Sequence, residues 1–200
     1  MSISIEHQLI VPKKIRYYTL GDPDESENLL IVLHGYGQLA KYFIQKFSDF
    51  SNQCCVLAPE GLHRFYLNGT SGRVGASWMT KEARESDISD NQVYLDLLLS
   101  EFTQKHSFKK TILLGFSQGG ATAARFFDQT KFKIDHLIIW ASVFPPDIAI
   151  SLTPERYLKK KNYFVLGNSD EYFDDQSSEA VINEFTSMQF ETICFQGTHD

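Results

Sequence analysis

Two hundred residues, 42% of them apolar and 14% aromatic, are too hydrophobic for a disordered chain. They are also enough to bury a core without metal or disulfide staples. Nineteen Lys and Arg against 25 Asp and Glu leave a formal charge of −6, which argues against nucleic acid or an anionic membrane as the main partner.

The length predicts a single domain over residues 1–200. Met1 to Glu6 lacks the basic start and apolar stretch of a signal peptide, and no apolar run approaches the ~18 residues of a membrane span. Cys54, Cys55 and Cys194 form no Cys-x-x-Cys pair and sit in apolar runs, as buried free thiols in a reducing compartment do. A cytoplasmic protein without a membrane span is therefore expected.

In chain order, Ile3 to Val11 and Ile15 to Leu20 read as two strands of an antiparallel hairpin around Pro12-Lys13-Lys14. Leu29 to Leu33 is a continuous apolar run, the mark of a strand buried on both faces. Cys54 to Ala58, Thr111 to Gly115, His136 to Trp140, Tyr163 to Leu166 and Thr192 to Phe195 repeat the pattern. Helices are expected from a cap at Asp87 to about His106, over 118–129 and over 177–188. In the first of these the core stripe is either Val93, Leu97 and Leu98 or Tyr94, Leu98 and Glu101. Strands alternating with helices imply an α/β fold: a mostly parallel sheet with helices on both faces. Pro59 to Ser86 and Ala141 to Lys161 are too long to be plain connections, and long loops at strand ends are often functional.

The chemistry centres on Gly115-Phe-Ser117-Gln118-Gly119-Gly120, a Gly-x-Ser-x-Gly between a buried strand and a helix. The bare pattern is weak; its context gives it force. A nucleophile on a sharp strand-to-helix turn needs small flanking residues, and the helix that follows aims its N-terminal N–H groups at the serine. Serine needs a base, and the base an orienting carboxylate, in the chain order Ser, acid, His. Of six histidines only His136 and His199 follow Ser117, and His136 opens a strand at the wrong edge of the sheet. His199, one short loop after the last strand, is the candidate base. Asp170 is the first carboxylate beyond the strand Tyr163 to Leu166 and the preferred acid, with Glu171, Asp174 and Asp175 as alternatives. A tetrahedral intermediate needs two N–H donors. Gln118 supplies one and Tyr36, in His34-Gly35-Tyr36-Gly37, the other; His34 reads as a brace for that loop. No zinc-ligand spacing is present, so neither metal nor cofactor is expected.

Together, His34-Gly-Tyr-Gly37, Gly115-Phe-Ser-Gln-Gly-Gly120, Gly167-x-x-Asp170 and Gly197-x-His199 resemble the α/β-hydrolase superfamily. The pattern is most similar to its phospholipase/carboxylesterase group, which includes the acyl-protein thioesterases. The resemblance implies a compact α/β-hydrolase fold without a cap domain, a Ser117–His199–Asp170 triad and oxyanion donors at Tyr36 and Gln118. Gly75-Ala-Ser-Trp78 resembles a Ser-Trp segment beside the group's substrate pocket. The loop Trp140 to Pro146 follows the group only loosely, and the group's usual helix after the histidine has no counterpart here. That leads to the expectation of a homo-oligomer, or of another part of the chain covering the last strand.

The expected function is metal-free hydrolysis of small-molecule or acyl carboxylic esters, and of thioesters, through an acyl-enzyme. Trp78 and Phe144 are candidates for the apolar wall of the substrate site, with ordinary core packing as the alternative. The competing readings are a non-catalytic binding domain of the same fold, and acyl transfer or perhydrolysis by the same triad.

Overall fold

Leu29 to Leu33 and Cys55 to Ala58 are buried at every position. Successive side chains of a strand point to opposite faces, so such runs require cover on both sides. In the computed structural model, which describes residues 3–148, 154–158 and 160–199, they form the middle of a seven-stranded sheet. Its strands are β1 (Tyr17–Leu20), β2 (Asn28–Leu33), β3 (Cys55–Pro59), β6 (Lys110–Phe116), β7 (His136–Trp140), β8 (Tyr163–Gly167) and β9 (Glu191–Phe195). The spatial order is β1-β3-β2-β6-β7-β8-β9. Only β1 runs antiparallel, against β3; every other pairing is parallel. This is the mostly parallel α/β sheet the sequence leads one to expect.

Helices α1 (Ala40–Phe43), α2 (Arg84–Lys105), α3 (Gln118–Gln129), α4 (Pro154–Leu158) and α5 (Asp175–Ser187) supply the cover. The glycine- and alanine-rich α3 lies close on β2, β6 and β7, α2 packs on α3, and α5 packs on β9. The core stripe of α2 is Tyr94, Leu95, Leu98, Leu99 and Phe102, at helical spacing, while Val93 and Leu97 face solvent. Asp87 is not the cap of α2 but lies in its first turn, where its Oδ2 accepts the Thr80 N–H at 2.8 Å. Helix α5 begins at Asp175, and Asp174 caps it by accepting the Ser177 N–H at 2.8 Å.

The expected N-terminal hairpin does not form. Residues 3–16 have no strand partner, and Ile10 is 97% exposed. Past Pro12 the chain is drawn toward the end of β3 instead. Lys13 Nζ donates to Leu62 O, Glu60 N–H to Arg16 O at 3.1 Å, and Arg16 Nε to the Glu60 carboxylate at 2.9 Å. These bonds hold the segment in a course that a tight turn would not permit. Cys54 and Cys55 are buried free thiols, burial pushing the second up to about 11. Cys194 departs from that expectation and is exposed: it lies on β9, the edge strand, where no position is fully buried.

Both long segments carry structure. Within Pro59 to Ser86, β4 (His63–Tyr66) and β5 (Val74–Ser77) make an antiparallel hairpin, bridged to the sheet-end loop by Gln38 and Ala76. The loop after β7 is fastened through Asp147, whose carboxylate takes two 2.7 Å bonds from buried Arg125 and one of 2.7 Å from Arg84. The two guanidiniums hold that carboxyl well below the usual carboxylate range. Among the described residues, no helix is long and apolar enough to cross a membrane.

Strand register decides where the chemistry gathers. Leu33 pairs with Gly115, Phe116 with Trp140 and Gly167 with Phe195. The residues just beyond β2, β6, β8 and β9 therefore emerge along one edge of the sheet.

Candidate active site

Ser117 stands between the end of β6 and the start of α3 with φ 53° and ψ −123°. A side chain other than glycine held there costs on the order of 1–3 kcal/mol and persists only where its surroundings enforce it. Here Ser117 N–H donates to Trp140 O and Gly120 N–H to Ser117 O, both at 2.8 Å. The small neighbour is a steric necessity. A Cβ on Gly119 would lie 2.3 Å from Leu33 O and 2.5 Å from His34 O. The turn thus lifts the serine hydroxyl clear of the sheet while α3 stays pressed on β2.

The histidine arrives from the other side of the sheet edge. His199 Nε2 is 3.0 Å from Ser117 Oγ, and its Nδ1 is 2.8 Å from Asp170 Oδ2. A carboxylate can only accept, so Nδ1 carries the proton and the Nε2 lone pair faces the serine hydroxyl. Asp170 is only 4% exposed, and its other oxygen accepts the Tyr172 N–H at 2.9 Å. Of the four carboxylates left open by the sequence, Asp170 is the one on the imidazole. Asp174 and Asp175 belong to the start of α5, and Glu171 accepts the backbone N–H of His199 at 3.3 Å.

Two loops are stitched together to hold this arrangement. Asn168 N–H donates to Phe195 O at 3.0 Å and Ser169 N–H to Gly197 O at 2.9 Å. The backbones meet so closely that a Cβ on Gly167 would sit 2.4 Å from Thr198 O. The rings of Tyr172 and Phe116, centred 4.5 and 5.0 Å from that of His199, flank it.

The loop after β2 faces the serine. His34 is fully buried; its Nδ1–H donates to Gly35 O at 2.8 Å and its Nε2 accepts the Gly61 N–H at 3.0 Å. Burial pushes its pKa below the ordinary histidine value, so the ring is a neutral brace. Gly35 N–H is taken by Gln38 Oε1 at 2.9 Å and Gly37 N–H by Ala76 O at 2.9 Å. Tyr36 N–H, between them, and Gln118 N–H, in the first turn of α3, are the candidate oxyanion donors.

Trp78 and Phe144 do not line the serine's cleft. Trp78 is 0% exposed, packs against His34 with the ring centres 5.1 Å apart and tilted by 33°, and donates its indole N–H to His34 O at 2.8 Å. It stiffens the loop from behind. Phe144, 6% exposed, packs edge-on against Tyr157 and Phe185, both 5.9 Å away. The alternative of core packing is the one that describes both rings, Trp78 against His34 and Phe144 among Tyr157, Phe185 and Phe190. The cleft itself, about 330 Å³, is lined by Ser117, His199, Tyr36, Phe116, Glu171 and Tyr172. Gln38, Glu171 and Tyr172 were not singled out for these contacts by sequence. Gln38 had one faint signal, its place directly after the glycine pair. Among the described residues, no cluster of three or more His, Cys, Asp or Glu could hold a metal ion.

A family model described as serine hydrolase (FSH1) matches residues 25–200. A rice (Oryza sativa subsp. japonica) protein described as a probable 1-acylglycerol-3-phosphate O-acyltransferase is 27% identical over 118 residues, 59% of this chain. The match spans only 26% of that relative's length. Among solved structures, a carboxylesterase from Mesorhizobium loti superposes with a TM-score of 0.71 at 16% identity, over 93% of this chain and 88% of its own. The acyl-protein thioesterase 2 of Zea mays gives 0.69 at 12% identity, over 92% and 91%. Esterase PE8 gives 0.65 at 18% identity, over 94% and 91%. At these identities the likeness is one of fold.

Proposed function

Because the chain belongs to the serine hydrolase (FSH1) family and has the α/β-hydrolase fold, we propose that it hydrolyses carboxylic esters through an acyl-enzyme on Ser117. The observation that carries the reading is the unbroken run Ser117 Oγ–Nε2 His199 Nδ1–Oδ2 Asp170, at 3.0 and 2.8 Å. Ser117 Oγ attacks the acyl carbon while His199 Nε2 takes its proton. The carbonyl π electrons move to oxygen, where the Tyr36 and Gln118 N–H groups stabilise the charge. Asp170 stabilises the imidazolium and keeps the ring in its tautomer. As the tetrahedral species collapses, His199 returns the proton to the departing alkoxide, leaving Ser117 acylated. Water, deprotonated by the same Nε2, then attacks the acyl carbon, and the released acid leaves Ser117 with its proton. Thioesters enter the same cycle with a thiolate as leaving group. Acyl transfer to an alcohol in place of water is a second reading, favoured by the described activity of the rice relative.

A fluorophosphonate probe tests the reading. Labelling of the wild-type protein, absent in Ser117→Ala, together with hydrolysis across a series of 4-nitrophenyl esters, is expected. Absence of both labelling and hydrolysis would overturn it and favour a binding domain. Added primary alcohol that diverts product from acid to new ester would identify acyl transfer.

A further inference from the structure

The cleft over Ser117 carries a fixed charge of one sign. Among the described residues that line it, Glu171 is the carboxylate and none is Lys or Arg, while Tyr36, Phe116 and Tyr172 make it aromatic. The catalytic histidine itself places Glu171. Its Oε2 accepts the His199 backbone N–H at 3.3 Å, and among the described residues it pairs with no Lys or Arg. A carboxylate offers roughly four acceptor sites, so one long bond leaves most of them to a ligand. Tyr172, the next residue, sets its ring 4.5 Å from that of His199 and is 73% exposed. The face of such a ring carries negative potential, which attracts cations. With a net charge of −6, the field of the whole chain has the same sign.

Proton transfer decides which half of an ester meets these groups. When the acyl C–O bond breaks, the alcohol oxygen takes its proton from His199 Nε2, so the alcohol half lies against the imidazole. Glu171 and Tyr172, from the loop after β8, both touch His199 and line the cleft. They therefore border the alcohol half. A positive substituent there meets a carboxylate and an aromatic ring; a negative one meets repulsion.

Resting on the esterase reading, we propose that the site prefers esters of amino alcohols, whose cationic nitrogen is held by the Glu171 carboxylate and the Tyr172 ring. A quaternary ammonium and a protonated tertiary amine share that chemistry. Both are drawn to the carboxylate and the ring, and only the second donates an N–H.

The test compares butyrylcholine, 2-(dimethylamino)ethyl butanoate and the uncharged isostere 3,3-dimethylbutyl butanoate. Each is titrated calorimetrically into Ser117→Ala. At low salt the cationic esters are expected to bind about fivefold tighter than the isostere, as exposed ion pairs and cation–π contacts allow. The gap narrows as ionic strength rises. Glu171→Gln should cut the ratio to about twofold and Glu171→Gln with Tyr172→Leu bring it near one. Tyr172→Phe keeps it, as does Glu101→Gln in the last turns of α2, beside the starts of β2 and β6. A tighter tertiary amine marks a hydrogen bond to Glu171, and equal affinities an ionic contact alone. Moved to the acyl end, in ethyl 4-(trimethylammonio)butanoate against ethyl 5,5-dimethylhexanoate, the charge should gain less than about twofold. Absent, equal or weaker binding of the cationic esters overturns the proposal. So does a preference that survives Glu171→Gln with Tyr172→Leu, or the same gain from either end. Because this binding assay needs no turnover, its outcome is independent of whether Ser117 labels and hydrolyses.

Discussion

Gln118 Oε1 accepts the Trp78 N–H at 3.0 Å, tying the first residue of α3 to the end of the β4–β5 hairpin. The Ser77 hydroxyl lies 3.1 Å from the same oxygen, and Gln118 Nε2 donates to Met79 O at 2.9 Å. The residue proposed to stabilise the oxyanion through its backbone is thus anchored by its own side chain. Gln118→Ala keeps the N–H but loses the anchor. It should lower kcat about tenfold with little change in KM, as small misplacements of reacting groups do. Loss of these part-buried bonds should also cost about 1–3 kcal/mol of stability, readable by chemical denaturation.

Gly119→Ala should damage both folding and turnover. Its methyl would meet Leu33 O and His34 O well inside contact distance, and both are backbone atoms that cannot swing away. Forcing α3 off β2 is expected to cost about 1–3 kcal/mol and to pull the oxyanion loop away from Ser117. Denaturation and steady-state kinetics on the purified variant check the two effects together.

Asp170 and Asp174 should separate cleanly. Asp170→Asn is expected to lower kcat by about a thousandfold or more, since an amide opposite Nδ1 no longer fixes the tautomer. Asp174 is exposed and caps α5, where hydrogen bonds from Ser177 hold its carboxyl below the usual range. Asn is also a good cap, so Asp174→Asn should leave kcat within twofold. Equal losses from the two would refute the assignment of the acid.

The buried His34 predicts a pH dependence of stability. Its folded pKa is depressed, so as pH falls below about 6.5 the unfolded chain binds a proton that the native ring resists. Its contribution is therefore complete above that pH and declines below it, by at most about 1.4 kcal/mol per pH unit. Melting temperatures from pH 8 to pH 5 should fall more steeply for the wild type than for His34→Gln. Parallel curves would count against a neutral, braced ring.

Exposed Tyr172 covers one face of His199, its ring centre 4.5 Å away. Tyr172→Ala should lower kcat several-fold and Tyr172→Phe restore it, because the packing surface and not the hydroxyl steadies the imidazole. Loss in both variants would assign the hydroxyl a part in the reaction.

Local chemistry in the sequence was enough for the parallel core, since runs such as Leu29 to Leu33 can be satisfied only by cover on both faces. It was enough also for the serine turn, because Gly115 and Gly119 flank Ser117 where a side chain would strike backbone. The order Ser117, Asp170, His199 reflects the order in which β6, β8 and β9 reach one edge of the sheet. What periodicity cannot report is the partner. Ile3 to Val11 alternates like a strand, yet β1 pairs with β3, and bonds to Glu60 and Leu62 lead the chain elsewhere. Trp78 and Phe144 are aromatic residues in functional-looking loops, and only packing made one a brace on His34 and the other core. Asp170 stood among four neighbouring carboxylates until the contact between the β8 and β9 loops brought a single one to the imidazole. Residue type and spacing act through the backbone within a few positions; these choices were made by side chains distant in sequence competing for the same space and the same hydrogen bonds.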